Sequence, residues 1–467
     1  MGAINIGKTS VELTTRHPAR VTPLEEYETE SAKRIRVVFL STSAFTLLFA
    51  VWLMFGILGV PIQKEFGLTD PQLAWLSAVA VLNGSLWRLP AGILTDRIGG
   101  RVVTIAMLLL TAIPCFFLTR AGSYAVLLVL AFLVGFAGNL FSVGIAWNSA
   151  WTPKERQGFA LGVFGAGNVG ASVTKLLLLL VPGILAGTAG HVYFGIFKGG
   201  WRIFPAIYTV ALVVVAILTF VIVPRRDKMA GEGKPIREML VPLKHMRVWR
   251  FSLYYAAVFG AYVALSAWLP KYYVDNFGIE LKEAALLTTT FIFPASLLRP
   301  VGGWFSDRFG ARRVMYWTFG VMLLASGLLM MPNGHIVIAH ADGSQSNHLA
   351  YSISLPVFAF VVFVLGCAMG IGKAAVYKHI PEYFPDNVGS VGGLVGMFGG
   401  LGGFFLPPLF AYSKQWSGFP TSTFFVLFLL TAACAIWMHW TVVHMLHKES
   451  PDLSRHLESP SGAATAS

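Results

Sequence analysis

Long runs of apolar residues, separated by short polar segments, repeat along most of this chain. Most runs reach the length of about 20 residues that a helix needs to cross the hydrocarbon layer of a bilayer. A helix satisfies its backbone hydrogen bonds within one such run, where no water is available. The pattern predicts an all-α membrane protein with twelve transmembrane helices, at residues 37–60, 73–94, 102–118, 126–147, 159–185, 203–223, 251–273, 286–305, 314–331, 353–377, 391–412 and 424–446.

Composition and charge agree with this prediction, because 55% of the residues are hydrophobic and only 12% are charged. The net charge of +13 would suit nucleic acid, but the Lys and Arg residues lie in short loops on alternate sides of successive spans. This distribution follows the positive-inside rule. We therefore predict a multi-pass protein of the cytoplasmic (inner) membrane, with both termini in the cytoplasm, that contacts the lipid bilayer and no nucleic acid.

A charged stretch at residues 224–250 is the longest polar segment between two predicted spans. It divides the chain into two sets of six helices, at residues 37–223 and 251–446. We interpret it as a cytoplasmic linker between two pseudo-symmetric six-helix bundles. Residues 1–36 have no apolar core and are predicted to form a cytoplasmic arm, and residues 447–467 a cytoplasmic tail.

Short motifs repeat between the two halves. Residues 87–101 resemble residues 298–312, and in both segments an Arg precedes an Asp by the same interval. Glycine-rich residues 162–170 and 396–404 form a second pair, in the fifth and eleventh predicted spans. Internal duplication explains both pairs. The charged residues of the first pair are candidates for latching one gate state, although topogenic charge would also explain their arginines. These residues are Asp96, Arg97, Arg101, Asp307, Arg308 and Arg312.

Arg88 and Arg299 are the residues most informative about chemistry. Each precedes the aspartate of its loop motif by about two helical turns, or roughly 12 Å, which places both near the middle of the bilayer. An arginine at that depth needs a cavity or a partner. A buried ion pair is one interpretation, but we find no Asp or Glu deep inside any predicted span. We favour the other, in which the two guanidinium groups clamp an anionic substrate.

Other polar residues inside the spans are candidates for the same function. The glycines of the fifth and eleventh spans allow close helix packing or close approach of a small planar ligand, and Asn168 among them needs a hydrogen-bond partner. Because the spans offer no carboxylate to carry a proton, any proton coupling would require a lysine, a histidine or water. The candidates are Lys175, Lys373 and His379.

Residues typical of metal sites or of enzyme active sites are scarce in the predicted spans. Cys115, Cys367 and Cys434 lie in apolar runs without ligand spacing. We find no paired carboxylates, metal-ligating histidine pair or activated nucleophile there. We therefore predict no metal, no cofactor and no enzymatic activity.

The chain resembles the nitrate/nitrite porter family of the major facilitator superfamily from residue 45 to residue 446. The loop motifs identify the superfamily, and the glycine-rich residues 164–170 and 398–403 resemble the paired nitrate signatures of the family. The resemblance implies that Arg88 and Arg299 bind the substrate. It also implies the residues that line the site, which are Phe141, Asn168, Tyr255, Phe259 and the glycines Gly165, Gly167, Gly170, Gly399, Gly400 and Gly402.

The resemblance implies a secondary active transporter that imports nitrate, and also nitrite, by alternating access. Residues 370–381 resemble the subgroup that moves nitrate with protons, so we predict a monomeric nitrate/proton symporter. An inside-negative potential opposes anion entry by about 2.3 kcal/mol per 100 mV, so uptake needs either protons or exchange for internal nitrite. The alternatives are a nitrate/nitrite antiporter, a carrier of another small anion, and a membrane sensor that does not transport.

Overall fold

The computed structural model describes residues 29–180, 183–193, 195, 197–228, 237, 241–340, 344–383 and 388–448. Within these residues the chain forms twelve helical spans, several of them interrupted. The first six spans are Glu30–Trp52 with Phe55–Phe66; Asp70–Leu86 with Arg88–Ile98; Gly100–Leu118; Tyr124–Val134 with Gly135–Asn139 and Leu140–Trp151; Lys154–Ala166 with Gly167–Ser172 and Val173–Leu180; and Gly200–Arg202 with Ile203–Ile222.

The second six spans follow the connection between the halves. They are Met246–Tyr255 with Ala256–Gly260 and Ala261–Phe277; Leu281–Leu297 with Arg299–Phe309; Ala311–Leu329; Leu355–Tyr383; Val388–Ser417; and Ser422–Lys448. Among the residues that the structure describes, Ile184–Thr188 and Val241–Lys244 form short helices outside the spans.

Most spans are long and apolar enough, taken alone, to cross a bilayer. Among the described residues nine helices meet this criterion, and the eighth span is a tenth if its two segments, bent by 42°, are counted together. The second span is divided at Trp87 into two pieces, and each piece is too short to meet the criterion. The ninth span carries Arg312 and Arg313 in its first turn, and these charges lower its hydropathy.

Two antiparallel hairpins that the sequence analysis did not predict lie in the connections. Strand β1 (Val192–Tyr193) pairs with β2 (Phe197–Lys198) between the fifth and sixth spans. Strand β3 (Gly334–Ala339) pairs with β4 (Gln345–Tyr351) between the ninth and tenth spans. Both hairpins lie outside the helical spans, so the spans form the main body of the fold.

Small residues bring the two halves into contact. A Cβ atom on Gly56 of the first span would lie 2.5 Å from the Cα of Ala267 in the seventh span. Large side chains such as Leu324 and Val221 instead face outward, with 72% and 70% exposure. Outward apolar side chains suit a lipid surface, where they cost nothing.

Four irregularities in the helices surround the centre of the molecule. The second and eighth spans break at Trp87 and Leu298 with nearly the same backbone angles, φ −88° and ψ 5° against φ −82° and ψ 4°. The fifth span contains the 3₁₀ turn Gly167–Ser172, and the seventh contains the π-helical turn Ala256–Gly260. Such turns reorient side chains and often occur at functional sites.

Candidate anion-binding site

Arg88 is the first residue after the break in the second span, so its side chain leaves the helix at the centre of the molecule. It is only 1% exposed. Its Nε donates to the carbonyl of Gly84 at 3.0 Å, and its Nη1 donates to the carbonyl of Gly396, in the other half, at 2.8 Å. Its buried Nη2 has no hydrogen-bond acceptor among the described residues.

Arg299 has the equivalent place after the break in the eighth span. Its buried Nη1 likewise has no acceptor within the described part of the chain. The ring of Phe141 contacts both arginines, with its centre 5.6 Å from Arg88 Cζ and 5.7 Å from Arg299 Cζ. Neither guanidinium forms an ion pair with a carboxylate of a described residue, so the centre carries uncompensated positive charge.

Aromatic side chains of the seventh and tenth spans form one wall of this centre. Tyr255 and Phe259 stack at 4.9 Å with an interplanar angle of 9°, and Tyr377 meets Tyr255 edge to face at 5.0 Å. Phe259 also lies 5.4 Å from Arg88 Cζ. The Tyr255 hydroxyl is buried without a hydrogen-bond partner in the described structure. The π-helical turn after Tyr255 places this hydroxyl and the Phe259 ring on the same side.

Asn168 lies on the 3₁₀ turn of the fifth span and is completely buried. Its amide nitrogen and amide oxygen both lack partners among the residues described. Its backbone carbonyl accepts a 3.2 Å hydrogen bond from the Tyr262 hydroxyl of the other half. The side-chain amide therefore remains available to a ligand.

Most of these unpaired polar atoms can donate a hydrogen bond. Arg88 Nη2, Arg299 Nη1, the Tyr255 hydroxyl and the Asn168 amide nitrogen are donors, and the Asn168 amide oxygen is an acceptor. Buried polar atoms normally find partners, and leaving one unpaired costs roughly 1–3 kcal/mol. A group of buried donors without a carboxylate is complementary to a small anion.

The eleventh-span glycines make room for these side chains. A Cβ atom on Gly399 would overlap the Tyr255 ring, and one on Gly400 would lie 2.7 Å from Ser85 Oγ and 3.3 Å from Arg88 Nη1. A Cβ on Gly402 would instead meet Ala256 at 3.0 Å, where the spans cross. Two of the three predicted glycines therefore border the site residues directly.

The fifth-span glycines divide in the same way. A Cβ atom on Gly165 would lie 3.5 Å from Arg299 Nη1, which is ordinary contact with the site. A Cβ atom on Gly167 would lie 2.6 Å from Cδ1 of Phe45, and a Cβ on Gly170 would overlap the Thr46 carbonyl. Gly167 and Gly170 thus allow the first and fifth spans to pack closely.

The three predicted coupling residues lie in different environments. Lys373 is completely buried beside the site, with Nζ 3.2 Å from the centre of the Tyr262 ring and 2.9 Å from the Ala295 carbonyl. Lys175 donates to the Ala171 carbonyl of its own span at 2.8 Å. His379 stacks on Phe251 at 5.3 Å, in a separate cleft. Among these three, the structure brings only Lys373 beside the aromatic wall.

The loop motifs lie together at one end of the molecule, which we call the motif end. In the second half, Asp307 forms a 2.6 Å ion pair with Lys378, and Arg312 donates to the Tyr383 hydroxyl at 3.0 Å. Arg308 is exposed and lies over Trp304, with Cζ 5.5 Å from the ring centre.

The first-half motif makes different contacts. Arg101 is buried and donates through Nη2 to the Phe220 carbonyl at 2.6 Å, whereas Arg97 is exposed. The side chain of Asp96 lies outside the described part of the structure. Asp227, which the sequence analysis did not select, accepts from the backbone N–H of Arg101 at 2.7 Å and from the indole of Trp151 at 2.7 Å.

A charged cluster that the sequence analysis missed joins the halves at the opposite end. Asp70 of the second span lies 2.7 Å from Lys414 of the eleventh span and 3.2 Å from Lys271 of the seventh, and Lys271 also pairs with Asp275 at 2.7 Å. Gln63 also donates to a carboxylate oxygen of Asp70, at 2.9 Å. We call these residues the Asp70 cluster.

Sequence comparisons place this architecture in a known family. A profile of the Major Facilitator Superfamily matches residues 40–334 and 272–464. The chain belongs to this superfamily.

The names of similar proteins indicate which members of the superfamily this chain resembles. The chain is 63% identical over 434 residues to the "Probable nitrate/nitrite antiporter NarK1" of Thermus thermophilus, covering 93% of this chain and 97% of that protein. It is 30% identical to the "Nitrite extrusion protein" of Bacillus subtilis (strain 168), covering 86% of this chain and 93% of that protein. The predicted resemblance to the nitrate/nitrite porters is therefore confirmed.

Solved structures share the fold. A bacterial homolog of the human lysosomal transporter Spinster, in an inward-facing and occupied conformation, has a TM-score of 0.67 at 16% identity and covers 89% of this chain and 98% of its own. The transporter FucP, in an outward conformation, has a TM-score of 0.60 at 16% identity and covers 87% and 99%. The predicted all-α fold of twelve transmembrane helices is thus confirmed.

Proposed function

We propose that this protein carries nitrate, and also nitrite, across the cytoplasmic membrane by alternating access between its two halves. The observation that carries the proposal is that Arg88 and Arg299, one from each half, contact the same Phe141 ring and each have a buried, unpaired guanidinium nitrogen, without a carboxylate partner among the described residues. The names of the relatives support the choice of anion. We further propose that the protein acts as a monomer with both termini in the cytoplasm.

The geometry of nitrate suits the site. Nitrate is planar and carries one charge over three oxygens, so it accepts several donors arranged in a plane. Arg88 and Arg299 supply fork-shaped guanidinium groups from opposite halves, which bond oxyanions better than a lysine does. The Tyr255 hydroxyl and the Asn168 amide supply further donors, and the Phe141 ring contacts both cations.

The two arginines come from opposite halves of the molecule, and this arrangement supports alternating access. Without an anion their charges repel, and an anion between them removes the repulsion and bonds to both halves at once. The Arg88 hydrogen bond to Gly396 already joins the second and eleventh spans. We propose that nitrate favours closure of the halves around the site, and that release favours reopening.

For the driving force we propose proton symport, with Lys373 as the proton carrier. Its Nζ is buried beside Phe259 and Tyr262 and has no carboxylate partner among the described residues. The Tyr262 hydroxyl in turn donates to the Asn168 carbonyl. A proton on Lys373 would therefore lie next to the proposed nitrate contacts. More than one proton per nitrate is required to overcome an inside-negative potential.

Nitrate/nitrite exchange is the second candidate mode. The relative at 63% identity carries the name of an antiporter, which favours exchange. Exchange requires no proton carrier, because one anion replaces another in the same site. Lys373 would then contribute fixed positive charge.

Nitrate uptake into proteoliposomes tests the proposal. One set receives an inward proton gradient, a second receives internal nitrite, and a third has neither. Uptake in the first set supports symport, and uptake only in the second supports exchange. Uptake in neither set, with saturating external nitrate and with correctly folded protein, would overturn the proposal and favour a carrier of another anion or a sensor.

A further inference from the structure

A second positively charged cleft lies at the motif end, inside the second half of the molecule. It is lined by the seventh, ninth, tenth and twelfth spans, and the space around it that is free of protein atoms, about 320 Å³, includes open solvent. Arg250 and Arg312 supply its charge, and His379 and Tyr383 its floor. It shares none of the residues of the proposed nitrate site.

The arginines of this cleft have few partners. Arg250 is 9% exposed, and its described contact is with the Phe251 ring, with Cζ 5.9 Å from the ring centre. Arg312 donates one hydrogen bond, to the Tyr383 hydroxyl. Arg247 lies over the same Tyr383 ring at 5.2 Å and adds charge at the rim.

Carboxylates do not compensate this charge among the side chains that the structure describes. The motif aspartate Asp307 is bound to Lys378 at 2.6 Å, outside the cleft lining. Like charges held close together in a partly buried space are unfavourable unless an anion joins them. The cleft therefore has the electrostatics of a binding site for a phosphate-sized anion, and arginine pairs phosphate in bidentate fashion.

One side of the cleft is apolar. It is lined by Met438 and Val442 of the twelfth span, of which Met438 is buried and Val442 half-buried. Only 22% of the residues in the apolar window of that span are buried inside the protein, so this helix faces lipid. Arg250 lies near the start of the seventh span, Met246–Phe277, at the level where a bilayer places its headgroups.

We propose that this cleft binds the headgroup phosphate of an anionic phospholipid, with the acyl chains lying along the twelfth span. A lipid fits both features of the cleft, its cationic interior and its apolar side, whereas free inorganic phosphate fits only the first. Anionic lipids gather at polybasic surfaces of membrane proteins. A bound lipid would tie the start of the seventh span to the ninth, tenth and twelfth spans.

The experiment measures lipid binding to the purified full-length protein in detergent, by native mass spectrometry and by the shift in thermal unfolding temperature. The probes are phosphatidylglycerol, phosphatidylcholine with the same acyl chains, and inorganic phosphate. We expect phosphatidylglycerol to bind and stabilise the wild-type protein more than phosphatidylcholine does. We expect inorganic phosphate at the same concentration to have little effect.

Variants locate the binding. Arg250→Gln and Arg312→Gln should each weaken phosphatidylglycerol binding about fivefold, the contribution of one arginine near a lipid surface. Arg308→Gln is the matched control, because Arg308 is exposed at the same end but outside the cleft. An equal loss in the control would overturn the proposal in favour of diffuse surface charge.

Further outcomes keep the proposal testable if a variant fails to fold. In the wild-type protein, equal binding of the two lipids would overturn it. Binding of inorganic phosphate in competition with phosphatidylglycerol would assign the cleft to a free anion and overturn the lipid assignment. Nitrate transport is not a readout here, so failure of the proposed function leaves this test unaffected.

Discussion

The guanidinium of Arg88 donates a 2.8 Å hydrogen bond to the carbonyl of Gly396, 308 residues later in the chain. This bond connects the second span of one half to the eleventh span of the other, at the centre of the molecule. It leaves Nη2 of the same guanidinium free for an anion. In the proposed mechanism, substrate binding and contact between the halves therefore involve a single side chain.

Arg88→Lys should lower the affinity for nitrate by about tenfold to one hundredfold, because hydrogen bonds to charged groups contribute about 1.5–3 kcal/mol. Lysine keeps the positive charge but loses the fork and the bond to Gly396. Equilibrium binding of nitrate to the purified protein measures the change. Arg97→Lys, at an exposed position of the same span, is the control and should bind as the wild type does. Unchanged affinity in Arg88→Lys would contradict the arginine clamp.

Gly400→Ala should reduce nitrate transport strongly with little loss of folded protein. The new Cβ would lie 2.7 Å from Ser85 Oγ and 3.3 Å from Arg88 Nη1, so the guanidinium must move. Gly393→Ala in the same span is the control, because its Cβ would meet only Leu89, at 4.0 Å. Uptake assays at matched protein density compare the two. Equal transport by both variants would show that Gly400 does not position Arg88.

Lys373→Met should separate nitrate movement from proton coupling. Methionine retains the apolar stem beside Tyr262 but holds no proton. We expect gradient-driven uptake to fall to background, whereas exchange of external nitrate for internal nitrite continues. Lys175→Met is the control, since Lys175 bonds only to its own span among the contacts described. Gradient-driven uptake by Lys373→Met at the wild-type rate would exclude Lys373 as the proton carrier.

Asp70→Asn should open the end of the molecule that holds the Asp70 cluster. Loss of charged hydrogen bonds to Lys414 and Lys271 would remove on the order of 2 kcal/mol from the closed arrangement. Spin labels at Lys64→Cys and Lys282→Cys, both exposed at this end, report the distance between the halves. We expect a larger population of long distances in the variant. Unchanged distances would show that the cluster does not hold this end closed.

The repeated motif explains how much of the site was predictable. It places Arg88 and Arg299 at equal distances from their loop aspartates, so their depth follows from helix geometry alone. The helix breaks at Trp87 and Leu298, which direct the two side chains inward, have a signal that the sequence analysis did not use, because a proline follows each break, at Pro90 and Pro300. Tyr377 lies in the segment 370–381, which was selected for its resemblance to a subgroup, and only the packed structure shows its ring against Tyr255.

Contacts between distant residues could not be predicted. Asp70 and Lys414 are 344 residues apart, and each alone resembles an ordinary charge at the end of a span. Asp307 was selected from the repeated motif, but its partner Lys378, 71 residues later, was not. Local patterns fix span positions and apolar faces, whereas ion pairs across the molecule depend on how the spans pack.

A structure determined with bound nitrate tests the central claim most directly. We predict density for a planar anion between the two halves, within hydrogen-bond distance of Arg88 Nη2 and Arg299 Nη1 and beside the Phe141 ring. Nitrate bound elsewhere, with both of these nitrogens still unpaired, would contradict the account.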